Sequence, residues 1–196
     1  MDGLEWTASA LGAAERALDV ATQNLAAAPC DGFHRLLFTA KLTAQGIRTD
    51  VSRDAQLGGL RRTGRALDLA VDGARFACLN GETRVTVCAQ RTRDGHLSAQ
   101  DGQLLRGQHG ALRFPLQAEF RADGAVMLAG RQIDQLALTR PAHIEQGVVE
   151  ASNGDSMQAM IAVLQAQRQF ETAQKMTQSL DAVAAKDATE ITRAAS

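Results

Sequence analysis

Glu150-Ala151-Ser152-Asn153-Gly154-Asp155-Ser156-Met157 opens the segment on which the architecture turns. From Asp155 to Ser196 there is neither Pro nor Gly. Asp155, with Gln158 three residues later, has the pattern of a capping box: a carboxylate at the N-cap and an amide that can reach back. Ala, Gln, Met, Leu and Lys fill the remainder of the chain, all good helix formers. A helix over most of this stretch runs on the order of 60 Å at 1.5 Å per residue, longer than a domain of this size requires. Its apolar side is narrow. Met157, Met160, Ile161 and Leu164 fall on one stripe, and Met176, Leu180 and Val183 on a second, offset around the helix. Between them only Phe170 is large and apolar. Stripes this thin suit contact along one or two partner helices better than burial in a large core. A long surface helix of an ordinary domain is the plainer alternative.

At the other end of the chain, residues 4–28 carry a second long helical pattern. Leu4, Leu11, Leu18 and Leu25 are spaced by seven, with Thr7, Ala14, Ala21 and Ala28 three positions later. That is an a/d heptad with large a and small d side chains. Pro29 ends it, because the residue before a proline avoids the α region. Residues 33–62 are the least readable. Phe33, Leu36, Leu37, Phe38 and Leu42 suit a short strand or helix, and 45–62 lack periodicity. From residue 63 the character changes. Turn signals stand at Asp72-Gly73, Asn80-Gly81, Asp94-Gly95, Asp101-Gly102 and Asp123-Gly124. Short alternating runs lie between them, at 67–71, 84–88, 124–128 and 135–139, the mark of antiparallel hairpins. The expected fold class is therefore α+β: long N- and C-terminal helices pairing as a coiled coil, with a small antiparallel β domain between them. The expected division is an N-terminal helix over 1–32, a connector over 33–62, the β domain over 63–146 and the C-terminal helix over 147–196.

Composition narrows the chemistry. The 196 residues include no Tyr, one Trp and six Phe, so Ala and Leu must supply most of any core. A formal charge of −1 gives no general attraction to nucleic acid. Residues 46–113 are mildly basic and both ends mildly acidic, a weak complementarity that salt screens. Three Cys make no disulfide framework, and no apolar run approaches the ~20 residues of a membrane span. The N-terminus lacks the basic and apolar regions of a cleavable secretory signal. His34, His96, His109 and His143 form no paired ligand motif, and there is no P-loop, dinucleotide fingerprint or nucleophile elbow. The expectation is a protein that is not an enzyme and carries no cofactor or metal. Arg61-Arg62 with Arg65 is a small basic cluster, read either as a solvated loop or as a subunit contact.

Several segments together resemble the flagellar basal-body rod and hook protein family. Asn24-Leu25-Ala26-Ala27-Ala28-Pro29-Cys30-Asp31-Gly32-Phe33 looks like the family's Asn-Leu-Ala-Asn…Gly-Phe signature. Thr63-Gly64-Arg65-Ala66-Leu67-Asp68-Leu69-Ala70-Val71-Asp72-Gly73 is similar to its Thr-Gly-Arg-Pro-Leu-Asp-Leu-Ala-Ile-Asp-Gly segment. Thr92-Arg93-Asp94-Gly95-His96-Leu97 with Asp101-Gly102-Gln103-Leu104 resembles a family hairpin. Gly147-Val148-Val149-Glu150-Ala151-Ser152-Asn153 resembles Gly-x-Leu-Glu-x-Ser-Asn, and Met157, Met160-Ile161, Gln167-Arg168-Gln169-Phe170-Glu171, Lys175 and Asp181 continue the match. The segments occur in family order over about two thirds of the chain. Ala27, Ala66, Gly154 and Ala77 depart from the family pattern. The chain is short for the family, the missing part falling between Pro141 and Gly147, which suits a proximal-rod member.

The resemblance implies a structural subunit of the bacterial flagellar rod, exported by the flagellar type III apparatus without a cleaved signal. It implies assembly with copies of itself and other rod proteins into a drive shaft enclosing the export channel. It implies no nucleic-acid partner and no integral membrane segment. The expected assembly residues are Leu4, Leu11, Leu18, Asn24, Leu25, Met157, Met160, Ile161, Leu164, Phe170, Met176, Leu180 and Val183, with Arg61, Arg62 and Arg65 as a β-domain contact. The competing expectation is a soluble coiled-coil adaptor or chaperone-like protein that docks one partner and does not polymerise.

Overall fold

The computed structural model describes the backbone of residues 3–194 and the side chains of 5–183, 185 and 186. The chain forms two compact units, one of Met1–Pro29, His34–Gln56 and Gly154–Ser196, the other of Cys30–Phe33 and Leu57–Asn153.

The first unit holds two helices and a hairpin. Helix α1 spans Gly3–Ala27 and stops two residues before Pro29. Helix α2 spans Ser156–Ala194. The Asp155 half of the expected capping box forms: its Oδ1 accepts hydrogen bonds from the amides of Met157 at 2.7 Å and Gln158 at 3.0 Å, while the Gln158 side chain makes no bond back to Asp155. Between the helices in sequence lie strands β1 (Leu36–Thr43) and β2 (Gly46–Arg53), paired without interruption from Leu36↔Arg53 to Thr43↔Gly46. Leu36, Phe38, Ile47 and Val51 are half-buried, whereas Thr39, Lys41, Arg48 and Asp50 are exposed. This is the period-two alternation of a sheet with one covered face. The hairpin is held to α1 by hydrogen bonds as well as by apolar contact. Asn24 donates to the Leu36 carbonyl at 2.9 Å and accepts from the Leu36 amide at 2.7 Å, and Ser9 Oγ accepts the Ile47 amide at 2.7 Å.

The coiled coil expected from the N-terminal heptad and the offset C-terminal stripes is corrected by this arrangement. The helices touch, but α1 also packs against β1 and β2, so its covered arc is shared among partners rather than drawn into one seam. Leu11, Leu18 and Leu25 are only half-buried, while the small heptad residues Thr7, Ala21 and Ala28 are buried, together with Ala13 and Val20 beside them. The Leu4 side chain lies outside the described residues. On α2 the buried residues are Ala159 and Ala166, with Val163, Phe170 and Ala173 half-buried. The large apolar row read from the sequence faces elsewhere. Mixed helix and strand content holds; a knobs-into-holes seam of large side chains does not form.

The single small β domain expected is also a different object, a patchwork of short antiparallel pairings. The described residues contain two three-stranded and five two-stranded sheets, one of them the hairpin above. Strand β3 (Leu60–Arg62) pairs with Val148–Glu150. Strand β4 (Asp68–Val71) is flanked by Thr86–Cys88 and Ile144–Gln146. The frequent turns explain the short strands: the glycines of all five Asp-Gly and Asn-Gly signals have positive φ, which glycine adopts without steric cost. The last run is shifted from 135–139 to Arg131–Gln135, because the chain reverses at Ala129-Gly130, where Ala129 takes φ 49°. The core of this unit is built on Leu69, Phe76, Leu97, Leu105, Leu112 and Val126, none of them detectably exposed. The rings of Phe114 and Phe120 stack at 4.6 Å. Buried Asp134 organises the 106–113 hairpin by accepting the amides of Gln108 at 3.0 Å and Arg113 at 3.1 Å.

Candidate functional site

The helical unit is unusual in what it leaves uncovered. Its buried side chains are small or polar: Thr7, Ala13, Val20, Ala21, Ala159 and Ala166 are among them. Several of its large apolar side chains are exposed. Met157 is 75% exposed, Met160 59%, Ile161 51% and Leu164 53%. At 3.6 residues per turn this row lies roughly opposite the side of α2 that carries Ala159, Val163 and Ala166. The first turns of α2 are thus apolar on two sides, and among the described residues only the side carrying Ala159 and Ala166 has a partner within the chain.

The second row lies elsewhere. Met176 lines a trough of ≈ 450 Å³ whose other walls include Ala10, Ala14 and Ala17 of α1 and Phe38 and Ile47 of the hairpin. Met176 and Val183 are more than half exposed, while Phe170 and Leu180 are half-buried. The structure therefore does not bring the two rows together on one surface.

Asn24 plays a different part from the leucines beside it: its amide is spent on Leu36, joining the end of α1 to the start of β1. At the other end of the hairpin, Arg35 donates to Asp54 at 2.7 Å, and the Gln56 amide donates to the same carboxylate at 3.0 Å. The Gln56 amide first, and Arg35 second, hold the Asp54 carboxyl below its usual range.

The arginine cluster is divided among ion pairs. Arg61 pairs with Asp31 at 2.7 Å and Arg65 with Asp68 at 2.8 Å, while Arg62 is exposed on β3. Burial pushes the Asp68 carboxyl up, but hydrogen bonds from Arg65 and Thr63 outweigh it and the net shift is downward. All three cysteines are free thiols; burial pushes Cys78 and Cys88 above the usual thiol range. Among the described residues no group of three or more His, Cys, Asp and Glu gathers as metal ligands. No helix among them is long and apolar enough to cross a membrane.

One constellation escaped the sequence reading. Glu150 is buried, its Oε1 accepts the Gly58 amide at 2.8 Å, and its backbone carbonyl accepts the Gly32 amide at 2.7 Å. The Phe33 carbonyl in turn accepts the Asn153 amide at 3.1 Å. The 30–33 turn, the 58–62 segment and the 147–153 motif are thereby tied at one place. A Cβ on Gly58 would sit 1.8 Å from the Ala151 carbonyl oxygen, so that position admits only glycine. The Glu in Gly147–Asn153 and the Gly58-Gly59 pair were the available signals, but neither names its partner.

Residues 145–190 match the family model for the C-terminal region of flagellar basal body rod FlgEFG proteins. The match upholds the resemblance to the flagellar rod and hook family on the segment holding the Glu150 motif and most of α2. It carries no distinction between proximal-rod and other members. No curated protein matches the chain.

Proposed function

Given a C-terminal segment of the flagellar rod and hook type, we propose that this protein is a structural subunit of the bacterial flagellar basal-body rod. It joins copies of itself and other axial proteins in a tube that transmits torque and encloses the export channel. It reaches that place through the flagellar type III apparatus, in the proximal part of the rod. The observation that supports this most is the row Met157, Met160, Ile161 and Leu164, bare on a side of α2 that none of the described residues of its own chain covers. A free subunit leaves that surface in water. Full burial of each such side chain is worth about 1.5–3 kcal/mol, enough in sum to drive docking against neighbours. The well-filled core of the other unit needs no such completion.

The test is a deletion complemented with wild type or with Met160→Asp/Leu164→Asp. Wild type should restore flagella and appear in isolated basal bodies. The double variant should be made and exported yet fail to enter them. Retained motility in a clean deletion would sink the rod assignment and favour an adaptor that docks one partner without polymerising.

A further inference from the structure

Beside the hairpin, α1 carries a second groove, separate from the alanine-lined trough. It has a volume of ≈ 450 Å³, and its lining includes Gly12, Val20, Leu36 and Val51, with Glu15 and Asp19. Arg16, adjacent to Glu15, also lines it. Glu15, Arg16 and Asp19 are all exposed. On α2 the bare apolar row continues along the helix into Arg168, which also lines the rim of the alanine-lined trough, and into Glu171 and Lys175, all three exposed. Among the described residues none of these six charged side chains is in an ion pair within the chain.

The two sign patterns are opposite. One surface presents plus, minus, plus; the other presents minus, plus, minus. We infer that the outer face of α2 in one copy docks antiparallel into the α1–hairpin groove of a second copy. Both helices rise about 1.5 Å per residue, so their charges stay level along the contact. Run antiparallel, Arg168 meets Asp19, Glu171 meets Arg16, and Lys175 reaches Glu15 about one turn away. A parallel alignment of matched rise sets at most one opposite pair level. The charges fix direction and register, and Leu164 at the end of the row enters the apolar part of the groove near Val20 and Leu36. Because groove and row are different surfaces, the contact is heterologous: each copy offers one of each, and the series does not close after two unless the geometry bends it into a ring.

This inference rests on the assembly reading, and its test separates the two. Two charge-reversed proteins are prepared, Arg168→Glu/Lys175→Glu and Glu15→Lys/Asp19→Lys, each checked for an intact helical unit by its helical circular dichroism and by exchange of the Leu36 amide that Asn24 holds. Sedimentation velocity is run up to millimolar protein at low salt. Wild type should self-associate, more weakly as salt rises. Each variant alone should associate at least about ten-fold more weakly, since its own groove and row now repel. An equal mixture should recover association to within about three-fold of wild type, because each reversed surface meets its complement and the unreversed pair is retained. Variants that associate like wild type, or a mixture that fails to recover, overturn the proposed contact while leaving basal-body incorporation to decide the rod assignment. Wild type that binds a different axial protein but never itself overturns the choice of a second copy as occupant.

Discussion

At the residue scale the molecule depends on a few polar and small groups whose partners are far away in sequence. Gly58 is the sharpest case. Its Cβ would collide with backbone rather than with a side chain that can turn aside. Gly58→Ala should cost about 3 kcal/mol or more, measured by denaturant unfolding of the β unit. Asn24 makes a two-point backbone bond that alanine cannot imitate. Asn24→Ala should cost about 1–3 kcal/mol by leaving Leu36 unpaired, seen as faster exchange at the Leu36 amide while Leu97 stays protected. Asp54 and Asp68 both have carboxyl groups held below their ordinary range. A carboxylate of this kind binds its proton more readily in the unfolded chain. Its stabilisation is therefore present above about pH 4 and falls as the pH drops through the folded values. Acid titration of the unfolding midpoint should show this loss, and Asp68→Asn should flatten it.

At the scale of elements, α2 is the informative one. Its sequence announced a long capped helix with thin apolar stripes, and that is what forms. What the stripes face was not legible. Large apolar residues are ordinarily expected inside, yet the side turned to the chain is the one with alanines. Small side chains let neighbouring backbones approach closely, which is why α1 and α2 meet through them. Met160→Asp/Leu164→Asp should consequently leave the thermal midpoint of the free protein within about 1 kcal/mol equivalent of wild type, while abolishing incorporation. A large loss of stability in the free protein would show the row to be covered already. The hairpin of β1 and β2 escaped the sequence for another reason. It reverses at Ala44-Gln45 without an Asp-Gly or Asn-Gly pair, and its alternation is diluted by Ala40 and by Leu37 on the exposed face.

At the scale of the whole molecule the two units contrast in how they are stabilised. The β unit encloses leucines, valines and phenylalanines; the helical unit buries mostly alanine. Opening free energies in one protein range from near zero up to the global value, and they follow burial. In the isolated protein the amides of 5–27 and 156–183 should exchange orders of magnitude faster than those of Leu69, Leu97 and Leu112. They should slow on assembly, as ordering entropy is offset by contact with neighbours. Strong protection of those helices in a verified monomer would count against assembly-coupled ordering.

Local chemistry was enough to settle some of this. The helix end before Pro29, the Asp155 cap and the five glycine turns each depend on a residue and its immediate neighbours, so all of them could be read from the residues alone. The family signature on the C-terminal segment was legible for the same reason, being a string of contiguous residues. It took the folded chain to establish that the helical unit buries its small residues rather than its large ones, that Asn24 clasps Leu36, and that Glu150 joins Gly58 across 92 positions. Periodicity tells which residues share a face of a helix. It carries no information on which face another part of the chain will reach, because that depends on the competition among every surface the folded chain can offer.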